Sequence, residues 1–301
     1  MMTAEFSCIR GRFAPSPSGP LHFGSLVAAV GSYLHAKSKG GQWLVRIEDI
    51  DTPRTVPNAD SEILRTLEQF GLHWDDSIVW QSQRLDIYQH YFDQFQQQHQ
   101  LYGCQCNRAR IAGLGGIYDG HCRALQLSSA QDGPLAWRLQ TVDVATEFTD
   151  LFAGSQQIPS ALAAEDYIIK RRDGLFAYQW VVVIDDIEQR ISEVIRGADL
   201  LQMTPRQQAL CRAFGAPVPA YGHLPLAVTA PGQKLSKQNH ATDIRRFAPA
   251  QSLTAALQFL GQPVPPDATR LGVAELLQFA LAHWQNALVP QQGEIQIQSF
   301  N

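Results

Sequence analysis

The apolar positions nearest the amino terminus fall first in one short run and then at helical spacing. Ser7–Ala14 reads as a strand, and Pro15 to Pro20 is a loop dense in breakers. A helix fits Leu21–Ser38, because Leu26, Val27, Val30, Tyr33 and Leu34 recur on one face and Gly40-Gly41 stops the pattern. Trp43–Ile47 is a second strand, so the opening reads as strand, loop, helix, strand, which favours a parallel sheet with a right-handed crossover. Helices follow over about Asn58–Phe70, halted by Gly71, and over Arg84–His99. From Gly103 to Ser160 the pattern breaks into glycines, short strands and cysteines, as an inserted module does. Strand character returns at Tyr167–Lys170 and Leu175–Ile184. A helix fits Pro205–Phe214, a loop centres on Lys234–Lys237, and modest helices fit Ala250–Leu260 and Val273–Trp284. The polar tail Gly293–Asn301 is expected to fray.

Composition narrows the class. The 301 residues are 45% hydrophobic and 17% charged, enough to bury a core. A formal net charge of -4 excludes an all-round polybasic surface, though not a local basic patch. The longest apolar stretch, Trp180–Ile184, is far too short to span a bilayer. The start MMTAEFSCIRGRF lacks the layout of a signal peptide, so the cytoplasm is the expected location. Five cysteines there read as core residues or metal ligands rather than disulfides.

Three constellations carry chemistry. Arg12 to Ser25 (RFAPSPSGPLHFGS) leaves the carboxyl end of the first strand and opens a helix, whose free N–H groups suit a polyphosphate. There His22 can donate to phosphate, and Gly24 lets a flat base approach the backbone. Lys234-Leu-Ser-Lys237 offers two cations in a loop able to close over a triphosphate. Cys104-x-Cys106 with Tyr118-x3-Cys122 offers three thiolates for tetrahedral zinc. Chemistry alone favours His121 as fourth ligand, since imidazole binds zinc more readily than phenol, although its adjacency to Cys122 limits its reach. Cys8 and Cys211 stand apart and read as core.

The first two constellations together, HFGS and KLSKQ, resemble the paired signatures of class I aminoacyl-tRNA synthetases. RFAPSPSG, Leu44–Asp51 (LVRIEDID), Val194–Leu200 (VIRGADL) and His223–Leu226 (HLPL) are similar to the glutamyl-tRNA synthetase group, over about residues 9 to 240. RFAPSPSGPLHFGSL, KLSKQNHA, the Tyr-x3-Cys form of the cluster and the short remainder resemble its truncated branch, which attaches glutamate to the queuosine of tRNA(Asp).

The resemblance implies an α/β fold with a Rossmann-type parallel-sheet core. Its halves would be 1–100 and 167–240, with a zinc-bearing module at 101–166 and a short helical segment at 241–301 in place of an anticodon-binding domain. It implies a glutamate pocket of Arg12, Ala14, Ser16, Glu48, Tyr178 and Arg196. Glu48 is the natural ammonium partner; Arg12 and Arg196 are carboxylate forks whose division of labour stays open. ATP, with Mg²⁺, would meet His22, Gly24, Ser25, Leu224 and Lys237, and His22, Lys234 and Lys237 would stabilise the phosphates. Tyr118 becomes the fourth ligand of one structural Zn²⁺. Arg108, Arg110 and Arg123 are candidates for tRNA phosphate. Asp49 and Asp51 read as turn caps rather than as metal ligands with Glu48. A monomer is expected. The rival readings are charging of a tRNA 3′ end, adenylylation of a small acid without tRNA, and a tRNA-binding protein without catalysis.

Overall fold

A computed structural model describes residues 8–142, 144–235 and 242–297, leaving out the side chains of Lys234 and Thr269. β1 (Arg10–Phe13) and β2 (Gln42–Ile47) run parallel, from Arg10↔Gln42 to Phe13↔Val45, and α1 (Phe23–Lys37) connects them. α1 is buried nearly all round, as a helix apolar on most faces must be. After it Gly40 takes φ +68°, and Gly41 passes between backbones: a Cβ there would lie 2.7 Å from the Ile9 carbonyl oxygen and 2.9 Å from that of Ala36.

α2 (Ala59–Gln69) precedes β3 (Val79–Trp80), which extends the sheet parallel to β2. α3 (Leu85–Gln97) buries Tyr88, Phe92 and Phe95, a spacing of four and three that makes one face. Then β4 (Leu101–Cys104), the short α4 (Arg108–Gly113) and α5 (Ser129–Asp132), and β5 (Ala136–Leu139) build a small separate sheet, completed antiparallel by β8 (Ile168–Lys170). Between them, the hairpin β6 (Glu147–Asp150) and β7 (Gly154–Gln157), followed by α6 (Ser160–Ala163), leaves that module's sheet and lies on the central one.

The expected strand Leu175–Ile184 is instead α7 (Tyr178–Glu188). The run Val181-Val182-Val183-Ile184 has strand propensity, but every one of these residues is at most 1% exposed. A helix satisfies its own backbone hydrogen bonds and can be buried on all sides without strand partners, so tertiary packing overrides local preference.

β9 (Glu193–Gly197), α8 (Thr204–Ala213) and β10 (Ala220–Leu224) form a second parallel unit, with β6 parallel on the far side of β10. Ser192 joins it to the first: its N–H donates to the Arg10 carbonyl and its Oγ accepts the Arg10 N–H. The strands thus run β3-β2-β1 beside β9-β10-β6-β7, with a crevice at the carboxyl ends where the order turns back.

β11 (Leu226–Ala230) and β12 (Gln233–Lys234) lead to α9 (Pro249–Phe259), which packs Phe259 edge-on to Phe23, and to α10 (Val273–His283). The tail does not fray over its described part. β13 (Glu294–Gln296) pairs parallel with β11, because the exposed backbone edge of β11 supplies the partners that its polar sequence hides. Cys211 is core, whereas Cys8 is exposed just ahead of β1, contrary to expectation. Among the described residues no helix is long and apolar enough to cross a membrane.

Gly41→Ala should destabilise the fold by about 1–3 kcal/mol, since the new Cβ meets two backbone carbonyls that cannot give way cheaply. Urea unfolding of variant and wild type measures it.

Candidate active site

A cleft of ≈ 690 Å³ opens at the carboxyl ends of β1, β2, β9 and β10. Arg12, Ala14, Ser16, His22, Gly24, Ser25, Glu48, Tyr178, Arg196 and Leu224 all line it. Five separated segments, around Arg12–Ser25, Glu48, Tyr178, Arg196 and Leu224, therefore meet at one site. Lys234 has its backbone in β12, opposite Val228, and Lys237 lies outside the described residues. The neighbouring Leu235 lines the same cleft, its carbonyl 3.8 Å from where a Gly24 Cβ would stand. Beyond the lysine loop the chain returns to the His22 loop: Ile244 N–H donates to the Leu21 carbonyl, and Asp243 bridges to His22.

His22 is the N-cap of α1, its Nδ1 accepting the Ser25 N–H at 3.3 Å. The first turn of α1 carries no acidic side chain, so its partial positive charge faces the cleft unopposed by its own residues. Gly24 sits so close to the His22 ring that a Cβ would be 3.2 Å from Cε1, which explains the glycine sterically.

The floor is a buried charge cluster. Arg12 Nε donates to Asp186 Oδ1 at 3.2 Å, and Arg46 Nη2 lies 2.8 Å from the same oxygen. These two guanidinium groups hold Asp186 below the usual carboxylate range although burial opposes them. Asp185, the next residue of α7, takes Arg84, Gln81 and Tyr88. Glu48 is a poorly satisfied member: Arg46 Nη2 is 3.6 Å from its Oε1, and among the described residues that atom has no hydrogen-bond partner. Burial pushes the Glu48 carboxyl up to about 7, against the pull of Arg46 and Arg12. Burial, then the charge of Glu48, pushes the Tyr178 phenol up to about 12, so it stays a neutral donor.

Arg196 differs from Arg12. Its Nε donates to His223 Nε2 (3.0 Å), Nη1 to Gln207 Oε1 (2.5 Å), and Nη2 to the Leu200 carbonyl (3.1 Å) and Thr204 Oγ1 (3.0 Å). All four acceptors are uncharged, so the guanidinium is held rigidly with its charge unopposed by them. His223 in turn meets Asp150 Oδ2 through Nδ1 at 2.6 Å. Burial, chiefly, lowers the pKa of His223, which keeps the ring neutral. Sequence reasoning assigned no role to His223, Asp150, Arg46, Asp185 or Asp186. HLPL and LVRIEDID contain His223 and Arg46, so those two were within the motifs; the aspartates carried no local signal.

In the module, the sulfurs of Cys104, Cys106 and Cys122 lie within 4.8 Å of one another. The Tyr118 hydroxyl accepts the Cys122 N–H at 2.7 Å, and Arg138 stacks 3.6 Å from the Tyr118 ring centroid while donating to Cys104 Sγ. His121 is exposed. Three clustered thiols, with the buried Tyr118 phenol hydrogen-bonded to the backbone of one of them, fit zinc as a donor set. Of the basic candidates, Arg110 pairs with Asp119 and Arg123 with Asp166, and Arg108 is exposed. Asp49 caps Ser82 and Asp51 holds Arg54, as turn residues do.

The catalytic-domain model for tRNA synthetases class I (E and Q) matches residues 8–251. The Glutamyl-Q tRNA(Asp) synthetase of Shigella flexneri is 52% identical over 283 residues, 93% of this chain and 90% of that protein. That of Shewanella amazonensis is also 52% identical, over 97% of this chain and 98% of its own. Among solved structures, the glutamate-tRNA synthetase of Elizabethkingia anophelis aligns with TM-score 0.80 at 25% identity, over 97% of this chain and 68% of that one. A glutamate tRNA ligase from Elizabethkingia meningosepticum, in complex with its amino acid, aligns with TM-score 0.78 at 25% identity, over 97% and 67%.

Proposed function

The chain belongs to the family of class I tRNA synthetases for E and Q, which are ligases, and from that premise we propose that it activates L-glutamate with ATP and transfers it to the queuosine of tRNA(Asp). One observation carries the reading: among the described residues, Arg196 is a buried guanidinium whose hydrogen-bond acceptors are all neutral, and it lines the same cleft as Glu48, a buried carboxyl group with an oxygen that has no partner there. A ligand that brings a carboxylate and an ammonium group satisfies both. Curated relatives that match nearly end to end, named for Glutamyl-Q tRNA(Asp), point to glutamate and to that acceptor.

In this reading ATP lies along the N-terminus of α1 with its base near Gly24 and Leu224. The glutamate α-carboxylate attacks the α-phosphorus, a P–O bond forms, and pyrophosphate leaves. No protein nucleophile is required; catalysis is positioning and charge stabilisation by His22, Lys234 and Lys237. Mg²⁺ accompanies the ATP. Arg12, Ala14, Ser16, Tyr178 and Arg196 grip glutamate, and Glu48 takes its ammonium group. Cys104, Cys106, Tyr118 and Cys122 hold one structural Zn²⁺, which cross-links the module. The enzyme works as a cytoplasmic monomer, on an anticodon loop laid across the cleft.

Incubation with ATP, labelled glutamate and total tRNA, followed by nuclease mapping, tests the whole reading. Label is expected in the anticodon-loop fragment of tRNA(Asp). Label on a 3′-terminal adenosine would assign ordinary charging, and no label would reject both.

Glu48 generates a second expectation. With its pKa raised to about 7, it is largely protonated in the free protein below that pH, and ammonium binding must expel the proton. The glutamate KM in pyrophosphate exchange should rise by up to about tenfold per unit as pH falls below 7 and level off above it. Glu48→Gln should raise KM at pH 8 and flatten the profile; a flat wild-type profile contradicts the assignment.

For the metal, atomic emission should find about one zinc per chain. Cys106→Ser should lose most of it and lower Tm, while Cys211→Ser keeps it. Equal zinc content in both variants would remove the site.

A further inference from the structure

Asp150 is buried behind the cleft-lining Arg196, on a hairpin strand of the central sheet, and the proposed mechanism gives it no part. It is 3% exposed, at the end of β6, parallel to β10 at Tyr221. Its two oxygens face different partners. Oδ1 accepts three backbone N–H groups, those of Phe152 and Ala153 at 2.9 Å and that of His223 at 3.3 Å. Among the described residues Oδ2 meets His223 Nδ1 alone, at 2.6 Å. On the other side of the ring, His223 Nε2 faces Arg196 Nε at 3.0 Å. A guanidinium nitrogen can only donate, so Nε2 is an acceptor and the ring proton is on Nδ1, which donates to Asp150.

We propose that Asp150 and His223 are positioning residues for glutamate: Asp150 locks the imidazole in its Nδ1–H form, so that Nε2 accepts from Arg196 and aims that guanidinium at a substrate carboxylate. The proposal rests on the assignment of Arg196 to glutamate made above. The logic is one of charge. A carboxylate placed directly on Arg196 would fix its orientation but compete with the substrate for it. A neutral imidazole fixes the orientation and leaves the positive charge for the ligand. The carboxylate stands one ring away, where it sets the tautomer. Arg12, by contrast, is held by Asp186 directly and shares its charge with it. Thr204, whose Oγ1 is 3.3 Å from His223 Nε2 and 3.0 Å from Arg196 Nη2, closes the same arrangement.

The pinning of Oδ1 makes a sharp test available. In Asp150→Asn the three backbone donors retain the amide oxygen, so the amide NH₂ faces Nδ1. The ring must then carry its proton on Nε2, pointing at the Arg196 Nε–H. His223→Gln offers an acceptor oxygen to Arg196 that needs no tautomer, whereas His223→Leu offers none.

Glutamate-dependent and ATP-dependent pyrophosphate exchange are measured for wild type, the three single variants, and Asp150→Asn combined with His223→Gln. Asp150→Asn and His223→Leu are expected to raise the glutamate KM at least about tenfold, the cost of one charge-assisted hydrogen bond, with the ATP KM within about twofold. His223→Gln should stay within a few-fold of wild type, and adding Asp150→Asn to it should raise the glutamate KM no further. Equal shifts in both KM values, no shift, or the same Asp150→Asn penalty in the His223→Gln background would each overturn the proposal. Should Asp150→Asn fail to fold, His223→Gln and His223→Leu still decide it, and equal glutamate KM values for the two would overturn it. Wild-type exchange that does not respond to glutamate would instead remove the functional reading beneath it.

Discussion

Taking charged groups out of water costs several kcal/mol each unless they are paired, and this chain does so repeatedly at the ends of its central strands. Arg12 on β1, Arg46 on β2, and Asp185 and Asp186 on α7 meet in a cluster in which none is more than 5% exposed. Consecutive residues on a helix point about 100° apart, so one turn of α7 delivers two carboxylates in two directions. Asp185 is saturated by Arg84, Gln81 and Tyr88; Asp186 is shared between Arg12 and Arg46. Once those pairs form, β1, β2 and α7 have one relative placement that leaves no charge stranded. Glu48, just beyond β2, is held at the margin of this cluster, and among the described residues its Oε1 has no hydrogen-bond partner.

The same economy distinguishes the two arginines of the cleft. Arg12 is tied to a carboxylate and belongs as much to the fold as to the site. Arg196 is surrounded by a ring nitrogen, an amide, a carbonyl and a hydroxyl, which orient it without neutralising it. A guanidinium prepared in this way loses little rotamer freedom on binding an anion, so the charge interaction appears more fully as affinity. The side of the cleft proposed for phosphate is built differently, from backbone: the N-terminus of α1, capped by His22, with Gly24 against the His22 ring. On the proposed reading, fixed dipoles suit a polyphosphate that must later be released, and buried forks suit an acid that must be distinguished from its amide.

Much of this could be read along the chain because the relevant signals are local. Leu26, Val27, Val30, Tyr33 and Leu34 mark α1, and the breakers before His22 mark the loop that opens the cleft. Arg12, Glu48 and Arg196 are recognisable inside short motifs, Tyr178 only through the family resemblance, and the structure brings all four to one cavity. Where the local signal was ambiguous, it misled. Val181 to Ile184 have the residue types of a strand, yet they sit in a helix buried on every side, and Glu294 to Gln296 look like a solvated tail, yet they complete the β11 edge.

The amino-acid sequence by itself determined the parallel α/β core, the helix that caps the cleft, the cysteine spacing and the identity of the residues that line the site, because periodicity, breakers and motif chemistry act over a few residues. Only the tertiary structure decided that α7 is a helix, that Asp186 binds Arg12 across 174 positions, and that Asp150 reaches His223 across 73. An aspartate carries no mark of its partner in its neighbours along the chain. Its partner is settled by which strands lie side by side, and that in turn is settled by which arrangement leaves no buried charge or backbone group unmet.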